Sequence, residues 1–159
     1  MATFNTYDYD FLIKCLSEGS AIFKAEALKR LNVLAGADKK QFVNNLRPVL
    51  SELESLYKED KEEINYQSIL LLNEIITNIQ TKELANLVFT RHLPLVIPSL
   101  GHPSKSSLRK AAHTVLLNTV KVYPQFTALG EIYLKQGFLS EVELVQQKSI
   151  NSFQSILIL

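Results

Sequence analysis

Residues 100–120 read LGHPSKSSLRKAAHTVLLNTV. A Gly-His-Pro-Ser turn runs straight into apolar residues at helical spacing. Leu108, Ala112 and Leu116 fall four apart and so share one helix face. A core-facing helix ordinarily carries large side chains on such a face. A small residue midway lets a neighbouring helix come close. The same apolar–small–apolar spacing recurs as Phe23, Ala27, Leu31, as Ile64, Ser68, Leu72, and as Val145, Ser149, Phe153.

These four motifs return about every 40 residues, the period of HEAT and armadillo repeats with two helices per unit. Breaks fall at SEGS (17–20), GADKK (36–40), KEDKEE (58–63), NIQTKE (78–83), GHPS (101–104), YPQ (123–125) and GFLSE (137–141). Between them the periodicity predicts helices at about Tyr7–Leu16, Ala21–Ala35, Lys40–Tyr57, Glu63–Ile79, Lys82–Leu100, Ser106–Tyr123, Gln125–Gln136 and Glu141–Leu159. Pro94 and Pro98 are expected to bend the fifth. In the seventh, Phe126, Leu129, Ile132 and Tyr133 share a side, and Gly137 suits a left-handed cap. The expected fold is all-α, an α-solenoid of about four HEAT-like hairpins at 7–36, 39–80, 82–123 and 125–159 in one domain. The small residues Ala27, Ser68, Ala112 and Ser149 are expected at the contacts between packed helices. The chain ends on NSFQSILIL (151–159) with no capping signal, so a further hairpin is expected to cover it.

Composition agrees with such a domain. The 159 residues are 47% hydrophobic, enough for one core. Five Gly and five Pro suit helices better than many turns. Seventeen basic residues nearly balance sixteen acidic ones, and a net charge of +1 gives no strong pull toward nucleic acid or an acidic membrane. The tight basic pairs on predicted helix starts, Lys39–Lys40 and Arg109–Lys110, do not make a stripe. The N-terminus lacks the basic start and apolar run of a secretory signal, and no apolar run is long enough for a membrane span. A lone cysteine, Cys15, excludes an internal disulfide and reads as a small buried hydrophobe in a cytoplasmic protein.

Catalytic constellations are missing from the sequence. No GxSxG, GxxxxGK or GxGxxG occurs. His92, His102 and His113 have no partner at metal-ligand spacing, so neither metal nor cofactor is expected. The carboxylates of KEDKEE bridge two helices at the surface, where they are solvated. The expectation is a non-catalytic protein.

The run Leu93-Pro94-Leu95-Val96-Ile97-Pro98, with Leu100, Gly101, Lys105, Leu108, Arg109, Ala112 and Leu116, resembles the LPxLIxxLGDxKxxVRxxAxxxL habit of TOG-type HEAT arrays. Those arrays occur in microtubule regulators, the CLASP family and the ciliary crescerin family. YLKQGFLS (133–140) is similar to a turn of crescerin-like members. The match covers 93–153. It implies that the turns within hairpins, at Ser17–Ser20, Glu59–Glu63, Gly101–Ser107 and Phe138–Glu143, form one edge that faces tubulin. Candidate contacts are Ser20, Ala21, Lys61, His102, Lys105 and Ser140, while Arg109 is implied as structural, a salt bridge or helix cap. The pattern departs from the family in two places. The chain has no Trp, where polymerase-class members carry one near the position of Ala21, and His102 replaces the Asp after Gly101. Acidic residues also outnumber basic ones in the four turns, which steers against acidic tubulin. Two readings follow: a tubulin-binding module of a cytoskeletal or ciliary protein, or a HEAT/armadillo scaffold for another protein or peptide.

Overall fold

A computed structural model describes residues 8–59, 61–79, 81–97, 99, 106–124 and 127–128. The chain divides into two compact units, Met1–Asn78 and Ile79–Leu159. Every regular element among the described residues is helical.

The first unit begins with α1 (Tyr9–Glu18) and α2 (Ala21–Ala37). The Asp8 carboxylate accepts from the Asp10 and Phe11 amides and so caps α1. Ser20 caps α2 through the Phe23 amide, at 3.4 Å. A single residue, Asp38, then ends α2 and caps the next helix by accepting from the Gln41 amide. The helix expected over Lys40–Tyr57 is two helices, α3 (Lys39–Asn44) and α4 (Leu46–Leu56). Pro48 explains the break. It has no N–H for the Asn44 carbonyl, and its ring crowds that oxygen. Asn45 turns the chain instead, its amide donating to Phe42 O and its side chain to Gln41 O. α5 spans Glu62–Asn78.

Packing in this unit is layered. α1 packs on α2 and α4 on α5, which makes two hairpins. α1 also packs on α4 and α2 on α5, so first helices stack with first and second with second. That is how consecutive helical-hairpin repeats share a core. Leu12, Leu16, Leu28, Leu31, Leu50, Leu53, Leu72 and Ile75 are buried in it. Ala27 and Ser68 are both 0% exposed. The Ser68 hydroxyl donates to Asn65 O at 2.8 Å, so the small polar side chain is satisfied inside its own helix.

The second unit opens with α6 (Lys82–Leu87), capped by Thr81. The helix expected to continue to Leu100 instead widens into a π turn at Val88–His92, then resumes as α7 (Leu93–Val96). Pro94 cannot donate to Thr90 O and crowds it. The wider turn moves the bonding register, and the Leu93 amide donates to Val88 O. α8 (Ser106–Val122) buries Leu108, Ala111, Ala112, Val115, Leu116, Thr119 and Val120 at helical spacing. Beyond its end, the Tyr123 hydroxyl donates to Ile79 O at 3.0 Å and ties the C-terminal end of α8 to the start of this unit. The helices expected over 125–136 and 141–159, with Gly137 and Ser149, lie outside the described residues. No helix among the described residues is long and apolar enough to cross a membrane.

Candidate partner-binding edge

The turn between α1 and α2 is shorter than expected. Ser17 and Glu18 belong to α1, leaving only Gly19 and Ser20 as linker. The Gly19 amide closes α1 on Cys15 O at 2.9 Å. A Cβ at Gly19 would collide with that same oxygen and lie 3.1 Å from Phe23 Cβ. The tight crossing therefore needs glycine for close approach, since the backbone here is ordinary extended. Ser20 and Ala21 are exposed, and Ile22 beside them is 73% exposed.

The corresponding turn of the second hairpin follows α4. Glu62 and Glu63 belong to α5, so the described residues of the turn are 57–59 and Lys61. Lys58 and Glu59 amides close the end of α4 on Ser55 O and Leu56 O. The Asn65 amide nitrogen then donates to Leu56 O, Tyr57 O and Glu59 O at 3.0, 3.1 and 2.8 Å. One side-chain NH2 group from α5 thus shares its two hydrogens among carbonyls at and just beyond the end of α4. Lys58 and Lys61 are exposed beside it.

Ion pairs join α2 to the second turn and to the start of α5. Lys24 Nζ, on the first turn of α2, lies 2.6 Å from Glu59 Oε1, with both side chains more than two-thirds buried. Lys29 reaches Glu63 at 3.3 Å and Glu26 at 3.7 Å, on an open surface. Glu59 and Glu63 are therefore charge-paired, and counting them as free acidic charge overstates the negative field of this turn. The partners lie 35 residues apart in the closest pair, a distance over which sequence periodicity carries no signal. Lys24 is not among the expected edge residues for that reason.

The remaining expected residues fall as follows. Ser20, Ala21 and Lys61 lie on the two turns just described, all exposed. His102, Lys105, Ser140 and Ser149 lie outside the described residues. Arg109 is buried on α8, as is Ala112.

Potential chemistry elsewhere is sparse among the described residues. No group of three His, Cys, Asp or Glu side chains is disposed to hold a metal there. His92 is buried in the π turn and His113 is half-buried on α8. Cys15 is buried at a shallow hollow of about 270 Å³ with Phe11, Lys14, Glu18 and Gly19, and burial pushes its thiol up, away from the reactive thiolate. A larger groove of about 560 Å³ lies where α1, α2 and α3 meet, lined by Asp8, Tyr9, Asp10, Leu34, Asp38, Gln41 and Asn45. Burial, and secondarily the Asp38 charge, push the Tyr9 phenol up to about 12. Asp8 and Asp38 there are engaged as helix caps.

No protein-family model matches the chain, and no curated protein matches it. Solved structures do. Cex1p is similar with a TM-score of 0.70 and 18% identity over 94% of this chain and 28% of its own. An engineered protein is similar with a TM-score of 0.65 and 18% identity over 94% of this chain and 62% of its own. The chain thus spans about a quarter of the first and under two-thirds of the second. At such identity the likeness is one of fold, and the fold class is all-α, of the α-solenoid type.

Proposed function

We propose that this chain is a non-catalytic protein-interaction module that binds through the edge formed by its within-hairpin turns, and that its partner is tubulin, in a cytoskeletal or ciliary setting. The observation that carries the edge reading is the pair of turns at Gly19–Ser20 and at 57–59 with Lys61. Lys24, on the helix that follows the first turn, pairs with Glu59 of the second, and Ser20, Ala21, Ile22, Lys58 and Lys61 at or beside the two turns are exposed. Rigid turns at fixed spacing are what a stacked-hairpin scaffold offers a partner, and each contact contributes modestly, with a few anchors dominating. The tubulin reading draws on the resemblance of residues 93–153 to TOG-type arrays. It is eased by the pairing of Glu59 and Glu63, which reduces the repulsion that the turn composition implies.

The test is gel filtration of the chain with free tubulin at low salt, at tens of micromolar protein. A co-eluting complex is expected for the wild type, weakened about tenfold or more by Lys61→Glu, and by Lys105→Glu if the third turn joins the edge. Absence of a complex with the wild type refutes tubulin as the partner. The second reading, a scaffold for a different protein or peptide, then stands on the remaining net acidity of the counted turns. Its mark is an edge that binds a basic probe peptide and not tubulin.

A further inference from the structure

Glu59 is held twice. Its carboxylate meets Lys24 at 2.6 Å, and its carbonyl accepts from the Asn65 side chain at 2.8 Å. Lys24 belongs to the helix that follows the first turn, and Asn65 to the helix that follows the second. We propose that Lys24, Glu59 and Asn65 form a latch that makes the two turns one mechanical unit, so that loosening either turn loosens the other. Within the edge reading of the preceding section, on which this rests, these three are positioning residues. They touch no partner. They hold Ser20–Ile22, Lys58 and Lys61 at fixed spacing before a partner arrives.

The physical reason lies in the cost of ordering. Two short turns at adjacent helix ends are the segments most prone to local opening. A partner that had to immobilise both would lose affinity for each side chain ordered on binding, and pre-organisation removes that loss. The construction suits the task. Asn65 bonds the carbonyls of Leu56, Tyr57 and Glu59 around the end of α4, and the same Glu59 whose carbonyl it holds presents its carboxylate to Lys24. The pair is largely shielded, so salt screens it less than the open Lys29–Glu63 pair.

Native-state hydrogen exchange on the free chain tests the latch without any partner. The reporters are the Lys58 and Glu59 amides in the second turn and the Gly19 and Phe23 amides at the first, all hydrogen-bonded. Lys24→Met, which keeps the aliphatic stem, is expected to raise exchange at Lys58 and Glu59 about tenfold, although it lies in the other hairpin. Asn65→Ala is expected to raise exchange at Gly19 and Phe23 several-fold, and the double variant is expected to add little to Asn65→Ala alone, since both act through Glu59. Effects confined to each variant's own turn, or a double variant whose effects multiply, overturn the proposal. Lys24→Met, which keeps the packed aliphatic stem, keeps the test open if Asn65→Ala fails to fold. If exchange behaves as expected while wild type ignores tubulin, the latch stands and the tubulin reading falls. If the wild type binds and Lys24→Met binds equally well with a loosened second turn, the positioning role falls.

Discussion

Substituting Ala27 by leucine puts the small-residue packing at risk directly. Ala27 is 0% exposed on α2, a helix that packs on both α1 and α5. Alanine and leucine differ little in helix propensity, so the backbone is a near-neutral background. Two effects of opposite sign then compete. If space exists beside Ala27, leucine buries three more carbons at about 0.8 kcal/mol each and stabilises by about 2 kcal/mol. If helices close directly on Ala27, the added carbons displace neighbours, and overpacking costs about 1–3 kcal/mol. Full burial beneath two packed helices favours the second, so Ala27→Leu is expected to destabilise by about 1–3 kcal/mol. Ala37→Leu, at the exposed end of the same helix, is the control and is expected to stay within about 0.5 kcal/mol of wild type. Urea unfolding followed by far-UV circular dichroism at 25 °C gives both values. Ser68→Ala at the other small position only removes a back-bonded hydroxyl and is expected to be neutral or slightly stabilising. A stabilised Ala27→Leu, or one no worse than Ala37→Leu, refutes the claim that close helix approach explains the repeated small residue.

Two glycines are expected to behave oppositely. Gly36→Ala, with nothing within 4 Å of its added carbon, gains about 0.5–1 kcal/mol of helix stability in the same urea assay. Gly19→Ala, whose added carbon meets Cys15 O, loses about 1–3 kcal/mol. Alkaline titration reports on the phenols. Burial, and then the Glu54 charge, hold Tyr57 well above its usual range, and burial also raises Tyr9 and Tyr123. Unfolding lets these phenols ionise near pH 10 while the folded chain keeps their protons. Their contribution is flat below pH 10, and stability falls above it by about 1.4 kcal/mol per pH unit for Tyr57 alone. Tyrosinate absorbance near 295 nm should show part of the six tyrosines titrating only as the chain unfolds; a single normal transition near pH 10 in the folded chain counts against that burial. Pro48→Ala is expected to let α3 run into α4, seen as a new exchange-protected amide at position 48 bonded to Asn44 O; a rapidly exchanging amide there removes the proline explanation.

Much of the helix layout was legible from local chemistry. The stretches picked out as breaks contain the residues that cap the next helix: Ser20, Asp38 and Thr81. Each owes its place to a hydroxyl or carboxylate reaching an amide three residues on. Errors clustered at prolines. Pro48 splits a helix that apolar spacing carried straight through, because leucines and valines keep their period across a one-residue turn. At Pro94, where a bend is expected, a π turn shifts the bonding register, a choice made by which carbonyls find donors.

What the amino-acid order determined by itself was the class of fold: helices from a 3.6-residue period, pairing from a recurrence near 40 residues, and buried small positions at Ala27, Ser68 and Ala112. These are properties of neighbours along the chain, where spacing alone sets which side chains share a face. What only the tertiary structure decided was the character of the edge. A lysine and a glutamate 35 residues apart become one part-buried pair, and an asparagine on one helix closes the end of another. Charge along a chain adds up regardless of order, but its field depends on which charges the packing brings together.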